Sequence, residues 1–167
     1  FTSFFDKTNT WSHRANFVSS NVWEWDEESQ QRVHTPGYAY FVRFGKVSGN
    51  FQFSAMRNVE SHTYQINDIG FLRAPNEVAH SANVSYRKNK PFSIFNRFNV
   101  TANANHTQTF SPREYDNFNI NLNFNAQFKN FMFLWVGTGI NPMVNVDHFD
   151  ARTDGYVFRK PASRRIN

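Results

Sequence analysis

The side chains most often used in catalysis and metal binding are thinly scattered along this chain. The six histidines occur singly, no two lie at the spacing of zinc ligands, and cysteine is absent. No Ser-His-Asp or Cys-His order and no glycine-rich phosphate loop is recognisable. We therefore predict that the chain is not an enzyme and holds no cofactor and no metal. The histidines are His13, His34, His62, His80, His106 and His148.

Two short segments come closest to a ligand-binding pattern. Asp147, Asp150 and Asp154 could offer carboxylates to Ca²⁺, but the spacing of an EF-hand is missing. Aspartates in loops more commonly shape turns. Asn67-Asp68 with Gly70 likewise suits a loop held by hydrogen bonds from side chains to the backbone. We expect structural roles for both segments.

The most regular chemistry in the chain is a ladder of amides between Asn117 and Lys129. Every odd position there is polar, mostly asparagine, and every even position is apolar. Successive side chains of a strand point to opposite faces, so this segment has one amide face and one apolar face. At about 3.3 Å per residue it spans roughly 40 Å. That length fits a tilted strand crossing a bilayer, for which about 9–11 residues suffice.

The same alternation in the neighbouring segments assigns side chains to two environments. Those predicted to face an enclosed aqueous lumen are Asn99, Thr101, Asn103, Asn105, Asn117, Asn119, Asn121, Asn123, Asn125 and Gln127. Those predicted to face lipid are Tyr40, Val42, Phe44, Phe51, Phe53, Val84, Phe98, Val100, Phe118, Ile120, Leu122, Phe124 and Phe128. The lumenal amides could line a pore for polar solutes such as glycans. More simply, they could hydrogen-bond one another and water.

The composition agrees with a membrane barrel and not with a membrane helix. The mean hydropathy is −0.64 and no apolar run is long enough for a spanning helix. A membrane barrel can have a mean hydropathy this low, because the half of its side chains that face the lumen are polar. The net charge of +5 accompanies 20 phenylalanines, but no stacking platform is flanked by cations. We therefore expect contacts with lipid phosphates and not with nucleic acid.

The connections between the predicted strands alternate between short and long. Short turns are expected near 6–9, 47–50, 88–91 and 129–130, and long loops near 24–36, 60–78, 107–116 and 141–155. Outer-membrane barrels have tight periplasmic turns and extended outer loops. We therefore predict an all-β, antiparallel up-and-down transmembrane β-barrel segment with about seven full strands and a partial strand at each end.

The whole chain, residues 1–167, is expected to form part of a single barrel domain. Unpaired strand edges are costly in lipid, so other strands of the same protein or of a partner subunit must close the barrel. The chain begins with Phe and shows no signal peptide, so we expect a mature or internal fragment.

Three stretches resemble a known family. They are residues 64–72 (Tyr-Gln-Ile-Asn-Asp-Ile-Gly-Phe-Leu), the hairpin at 45–51, and residues 148–158, which begin His-Phe-Asp where the family more often has Tyr-Phe-Glu. They are similar to segments of large outer-membrane proteins of Bacteroidota. These proteins carry a carbohydrate-binding-family-9-like domain ahead of a β-barrel of unknown function, and the likeness covers about residues 37–161. The family has no assigned catalytic residues, and its sugar-binding-like domain is not in this chain, so neither property transfers.

These observations predict a location in the outer membrane of a Gram-negative bacterium, in contact with its lipids and lipopolysaccharide. The first functional hypothesis is a conduit whose polar lumen passes solute or polypeptide. The second is a non-conducting anchor or docking subunit of a larger outer-membrane complex. The third is a soluble glycan-binding β protein.

Overall fold

The computed structural model describes residues 2–4, 7–8, 10–65, 75–148 and 156–166. Within that part of the chain every regular element is a β-strand, and no helix that could span a membrane is present. The strands are β1 (Thr2–Phe4), β2 (Trp11–Asp26), β3 (Gln31–Lys46), β4 (Phe51–Glu60), β5 (Glu77–Lys88), β6 (Phe95–Thr109), β7 (Tyr115–Phe128), β8 (Phe133–Asn141), β9 (Asn145–Asp147), β10 (Phe158–Lys160) and β11 (Ser163–Ile166).

Nine of these strands form one antiparallel sheet in the order β1-β2-β3-β4-β5-β6-β7-β8-β11. From β1 to β8 each strand pairs with the next strand in sequence, which is an up-and-down meander. Strand β11 returns along the far side of β8, and β9 and β10 form a separate two-stranded ribbon. The predicted all-β, antiparallel up-and-down architecture is confirmed. The sheet remains open, with β1 at one edge and β11 at the other.

The predicted long loop at 24–36 is wrong. Strands β2 and β3 pair without interruption as far as Asp26 and Gln31, so only residues 27–30 connect them. Trp23 stacks on His34 across this pair, with ring centroids 4.3 Å apart. In the turn, Asp26 accepts hydrogen bonds from the Ser29 hydroxyl and the Glu28 N–H, and both lower the pKa of its carboxyl group.

Pro36 looked like a loop signal in the sequence but lies inside β3. Its carbonyl oxygen accepts a hydrogen bond from the Thr63 hydroxyl, on the side of β3 away from β2. Pairing with β4 begins only at Ala39, so no ladder bond is lost at the position where proline lacks an N–H. Proline therefore fits this end of the strand.

The predicted alternation of short and long connections is not found between β2 and β8: residues 27–30 and 110–114, predicted within long loops, number four and five, whereas the predicted short turn near 88–91 becomes the six residues 89–94. The 47–50 turn lies where it was predicted, whereas β6 begins at Phe95 and not at Phe92, because these two residues close a tight turn with reciprocal 2.9 Å hydrogen bonds. The loop predicted at 107–116 shortens to 110–114. The connection between β4 and β5 is long, and its residues 66–74 lie outside the described residues, as do residues 6 and 9 and residues 149–155.

Candidate functional site

The strand register places the predicted lumenal side chains on one face of the sheet. Asn103 lies directly opposite Asn121, and Asn105 lies opposite Asn119. Residues opposite each other in an antiparallel pair share a face. We call this the amide face. It carries the even-numbered residues of β2 and β4 and the odd-numbered residues of β3, β5 and β8. It also carries the odd-numbered residues of β6 from Arg97 and of β7 from Asn117.

Amide side chains on this face bind one another. The Asn83 amide donates to the Asn103 side-chain oxygen at 2.6 Å. Asn119 accepts from the amides of both Asn105 and Asn121, at 3.1 and 3.0 Å. No buried side-chain nitrogen or oxygen of the described residues lacks a hydrogen-bond partner. The amides therefore satisfy much of their own hydrogen-bonding capacity, and the remaining half-exposed groups are available to water or solute.

The predicted lipid-facing side chains share the opposite face, which we call the apolar face. They are Tyr40, Val42, Phe44, Phe51, Phe53, Val84, Phe98, Val100, Phe118, Ile120, Leu122, Phe124 and Phe128. Among the described residues only four apolar side chains are buried, those of Val59, Tyr64, Val78 and Ala126. The apolar face therefore does not pack against a second layer of the described residues.

In the middle of β7 two apolar side chains are more exposed than the polar ones beside them, whereas near its end the order reverses, with Ala126 buried and Asn125 exposed. Ile120 is 39% exposed and Leu122 is 45% exposed, whereas the neighbouring Asn121 and Asn123 are half-buried and therefore less exposed. The same inversion occurs in β5, where Val84 is exposed between less exposed polar neighbours. The amide face is therefore the more crowded of the two faces in the middle of β5 and β7.

A row of polar side chains crosses the apolar face, and the sequence did not reveal it. Arg57 lies opposite His80, and His80 lies opposite His106, with the two imidazole rings 5.9 Å apart. These residues come from three strands, so only the register brings them together. In the described part of the chain no group of three or more His, Cys, Asp or Glu side chains could hold a metal ion.

Charged side chains on the amide face are separated by sign. Arg14 lies opposite Arg43; the Arg14 guanidinium lies 5.3 Å from the Phe41 ring centroid, and the Arg43 guanidinium donates to the Ser54 hydroxyl at 3.2 Å. The face also carries Arg87, Arg97 and Arg165. Glu60 and Glu77 lie opposite each other where β4 ends and β5 begins. The arginines therefore occupy the middle of the face and its end near the 47–50 turn, and these carboxylates lie at the other end.

Residues 61–65 fold back onto the amide face. The Ser61 N–H donates to the Tyr38 carbonyl oxygen at 2.9 Å, and the Gln65 N–H donates to the Ser20 hydroxyl oxygen at 3.1 Å. Gly37 leaves room for this segment, since a Cβ atom there would lie 2.5 Å from the Cα of Tyr64. The start of the long β4–β5 connection therefore lies over the amide face of β2 and β3.

Other loops are tied together at the same end of the sheet. The Asn76 side chain donates to the Ser111 carbonyl oxygen at 3.0 Å and accepts from the Ser111 N–H at 2.8 Å. The Asn145 side-chain oxygen accepts from the Tyr115 hydroxyl at 2.9 Å, which holds β9 against the start of β7. These contacts fix the loops relative to the sheet.

The segments considered for ligand binding give no site within the described residues. Asp147 forms a 2.9 Å ion pair with Lys160. Asp150, Asp154 and the 67–70 segment lie outside the described residues.

The fold and the two-faced surface define an all-β protein built on one wide, open antiparallel meander with one polar and one apolar face. The chain belongs to the family DUF5916, a domain of unknown function, whose model matches residues 1–167. The comparison with curated proteins found no match, and neither did the comparison with solved structures.

Proposed function

We propose that this chain is part of an outer-membrane β-barrel of a Gram-negative bacterium. Its amide face lines enclosed water, and its apolar face contacts the outer-membrane lipids and lipopolysaccharide. The observation that carries the proposal is the inverted exposure, in which Ile120 and Leu122 are more accessible than the asparagines between and beside them. A sheet of this kind is stable in lipid, where apolar side chains face outward and polar ones face inward. The likeness of residues 37–161 to Bacteroidota outer-membrane barrels supports the same location.

The proposed barrel is wider than the sheet described above. Nine strands lie side by side with both edges open, so closure requires further strands from the same protein or from another subunit. Barrels of about eight strands have interiors just wide enough for side chains, and wider barrels enclose water. The function that follows is a conduit, in which an amide-lined lumen passes polar solute.

Planar-bilayer recording tests the conduit directly. We expect the purified protein to insert into a lipid bilayer and give stepwise ion currents, because a wide, polar lumen holds a continuous column of water. Outer-membrane preparations from cells that lack the protein, purified in the same way, provide the control. A barrel that inserts and stays closed to ions would contradict the conduit, and recovery of the protein in the aqueous fraction without detergent would contradict the barrel.

The second candidate is a non-conducting anchor or docking subunit. The segment at residues 61–65 favours it, because this segment covers part of the amide face. On this account mild detergent extraction recovers the protein with stoichiometric partner subunits, and bilayers containing it remain closed to ions. A lone barrel with steady conductance would exclude it.

A further inference from the structure

A groove of about 500 Å³ on the amide face brings together guanidinium, amide and indole groups. It lies at the end of the sheet that carries the 89–94 and 129–132 connections. Its volume falls within the range of about 300–1,000 Å³ that is usual for small-molecule sites. The side chains that matter for its chemistry are Arg87, Arg97, Asn99, Asn125, Gln127 and Trp135.

The register assembles this groove from four strands. Asn99 lies opposite Arg87 on one side and opposite Asn125 on the other, and Asn125 in turn lies opposite Trp135. Arg97 lies opposite Gln127 in the next row. Adjacent rows on one face of a sheet are about 7 Å apart. The two guanidinium groups, the amides and the indole are therefore neighbours on one surface.

Both arginines are exposed and their guanidinium groups are available. Among the hydrogen bonds and ion pairs of the described residues, none involves the side chain of Arg87 or Arg97. No carboxylate lines the groove. A guanidinium group binds carboxylate, sulfate or phosphate oxygens in a two-pronged geometry. The groove is therefore suited to a ligand with at least one anionic group.

Trp135 supplies a flat apolar surface in a row that is otherwise polar. Its side chain is 54% exposed and lies opposite Asn125. A Cβ atom at Gly137 would lie 3.0 Å from the indole Cζ2, so the ring lies along the strand over the space that the glycine leaves. In the sequence, residues 131–140 are apolar on both faces of the predicted strand. A polar lumen wall does not require an indole at position 135. An indole face between amides suits a sugar ring, whose C–H face packs on the aromatic ring while its hydroxyl groups bind the amides.

We propose that this groove binds an anionic saccharide. The charged group pairs with Arg87 and Arg97, the hydroxyl groups pair with the amides, and the sugar ring packs on Trp135. The inference rests on the proposed function in one respect, which is that the amide face must be open to water. It adds to the conduit a substrate class, acidic sugars carrying carboxylate or sulfate groups.

Calorimetric titration of the detergent-solubilised protein tests the inference. We expect trigalacturonate to bind at least tenfold more tightly than maltotriose, a neutral saccharide of the same length. The paired substitution R87Q/R97Q is expected to weaken trigalacturonate binding by about tenfold or more, because it removes charge-assisted hydrogen bonds. W135A is expected to weaken binding of trigalacturonate while leaving binding of inorganic sulfate unchanged. R113Q/R159Q removes the same two charges at exposed positions outside the groove and is expected to have no effect.

Each alternative outcome has a distinct meaning. Equal affinity for trigalacturonate and maltotriose in the unsubstituted protein would overturn the inference without reference to any variant. A loss for R113Q/R159Q as large as that for R87Q/R97Q would also overturn it, since binding would then follow overall charge. Inorganic sulfate binding as tightly as trigalacturonate would exclude the sugar component. A barrel that is closed to ions but binds trigalacturonate would contradict the conduit and support the saccharide site. A barrel that conducts ions but does not bind trigalacturonate would support the conduit and contradict the saccharide site.

Discussion

Replacing Leu122 by arginine is expected to destabilise the folded protein in lipid vesicles by about 2–4 kcal/mol, the cost of a cation near the bilayer midplane. Leu122 lies near the centre of the longest apolar stripe, opposite Ala102 on one strand and Thr138 on the other. Neither neighbour carries a charge that could offset the arginine. The measurement is the free energy of unfolding from urea titration in phosphatidylcholine vesicles, followed by tryptophan fluorescence.

Asn123→Arg is the matched control for this substitution. It places the same side chain on the adjacent residue, which lies on the amide face opposite Thr101 and Gly137. A lumenal arginine remains hydrated, so we expect a change in stability several-fold smaller than that of Leu122→Arg. Equal losses for the two variants, or no loss for Leu122→Arg, would contradict the assignment of the apolar face to lipid.

Gly37→Ala is expected to displace residues 61–65 from the amide face. The added methyl group would lie 2.5 Å from the Tyr64 Cα and 2.6 Å from the Thr63 carbonyl carbon, and neither backbone atom can move without shifting the segment. Overpacking of this kind costs about 1–3 kcal/mol. Two results follow: faster protease cleavage within 61–65 and, because the segment leaves the lumen, larger single-channel currents.

Gly139→Ala controls for the loss of a glycine on the same face. There the new methyl group would lie 3.0 Å from the side-chain oxygen of Asn121, which can rotate away. Glycine inside a strand is itself unfavourable, so this variant is expected to be as stable as the parent or slightly more stable. If protease cleaves Gly37→Ala no faster than Gly139→Ala, the contact at Gly37 does not hold residues 61–65 in solution.

The sequence predicted the parts of the fold where residue type alternates without exception. The β7 segment was expected from Asn117 to Lys129 and extends from Tyr115 to Phe128, because each side chain there has an unambiguous face. The failure at 24–36 has a physical cause. Beyond the apolar stripe both faces of the β2–β3 hairpin are exposed, so charged residues and Pro36 occur on the strands themselves and the alternation disappears.

The groove and the polar row could not have been predicted, because both depend on register. The sequence shows a tryptophan at position 135. Only its pairing with Asn125 shows that its side chain lies beside amide side chains. His80 and His106 are far apart in sequence and become neighbours through the β5–β6 ladder. The alternation of polar and apolar residues along a strand assigns each side chain to one face of the sheet. It does not show which residues of the other strands lie beside that side chain.

Spin-label accessibility along β7 tests the central claim most directly. The chain contains no cysteine, so single cysteines can be introduced at positions 119 to 124 and labelled in turn. We predict that labels at 120, 122 and 124 collide with oxygen, which concentrates in lipid, and labels at 119, 121 and 123 with a water-soluble nickel complex. Even-numbered positions that are inaccessible to both reagents would place the apolar face in a dry protein core and contradict the account.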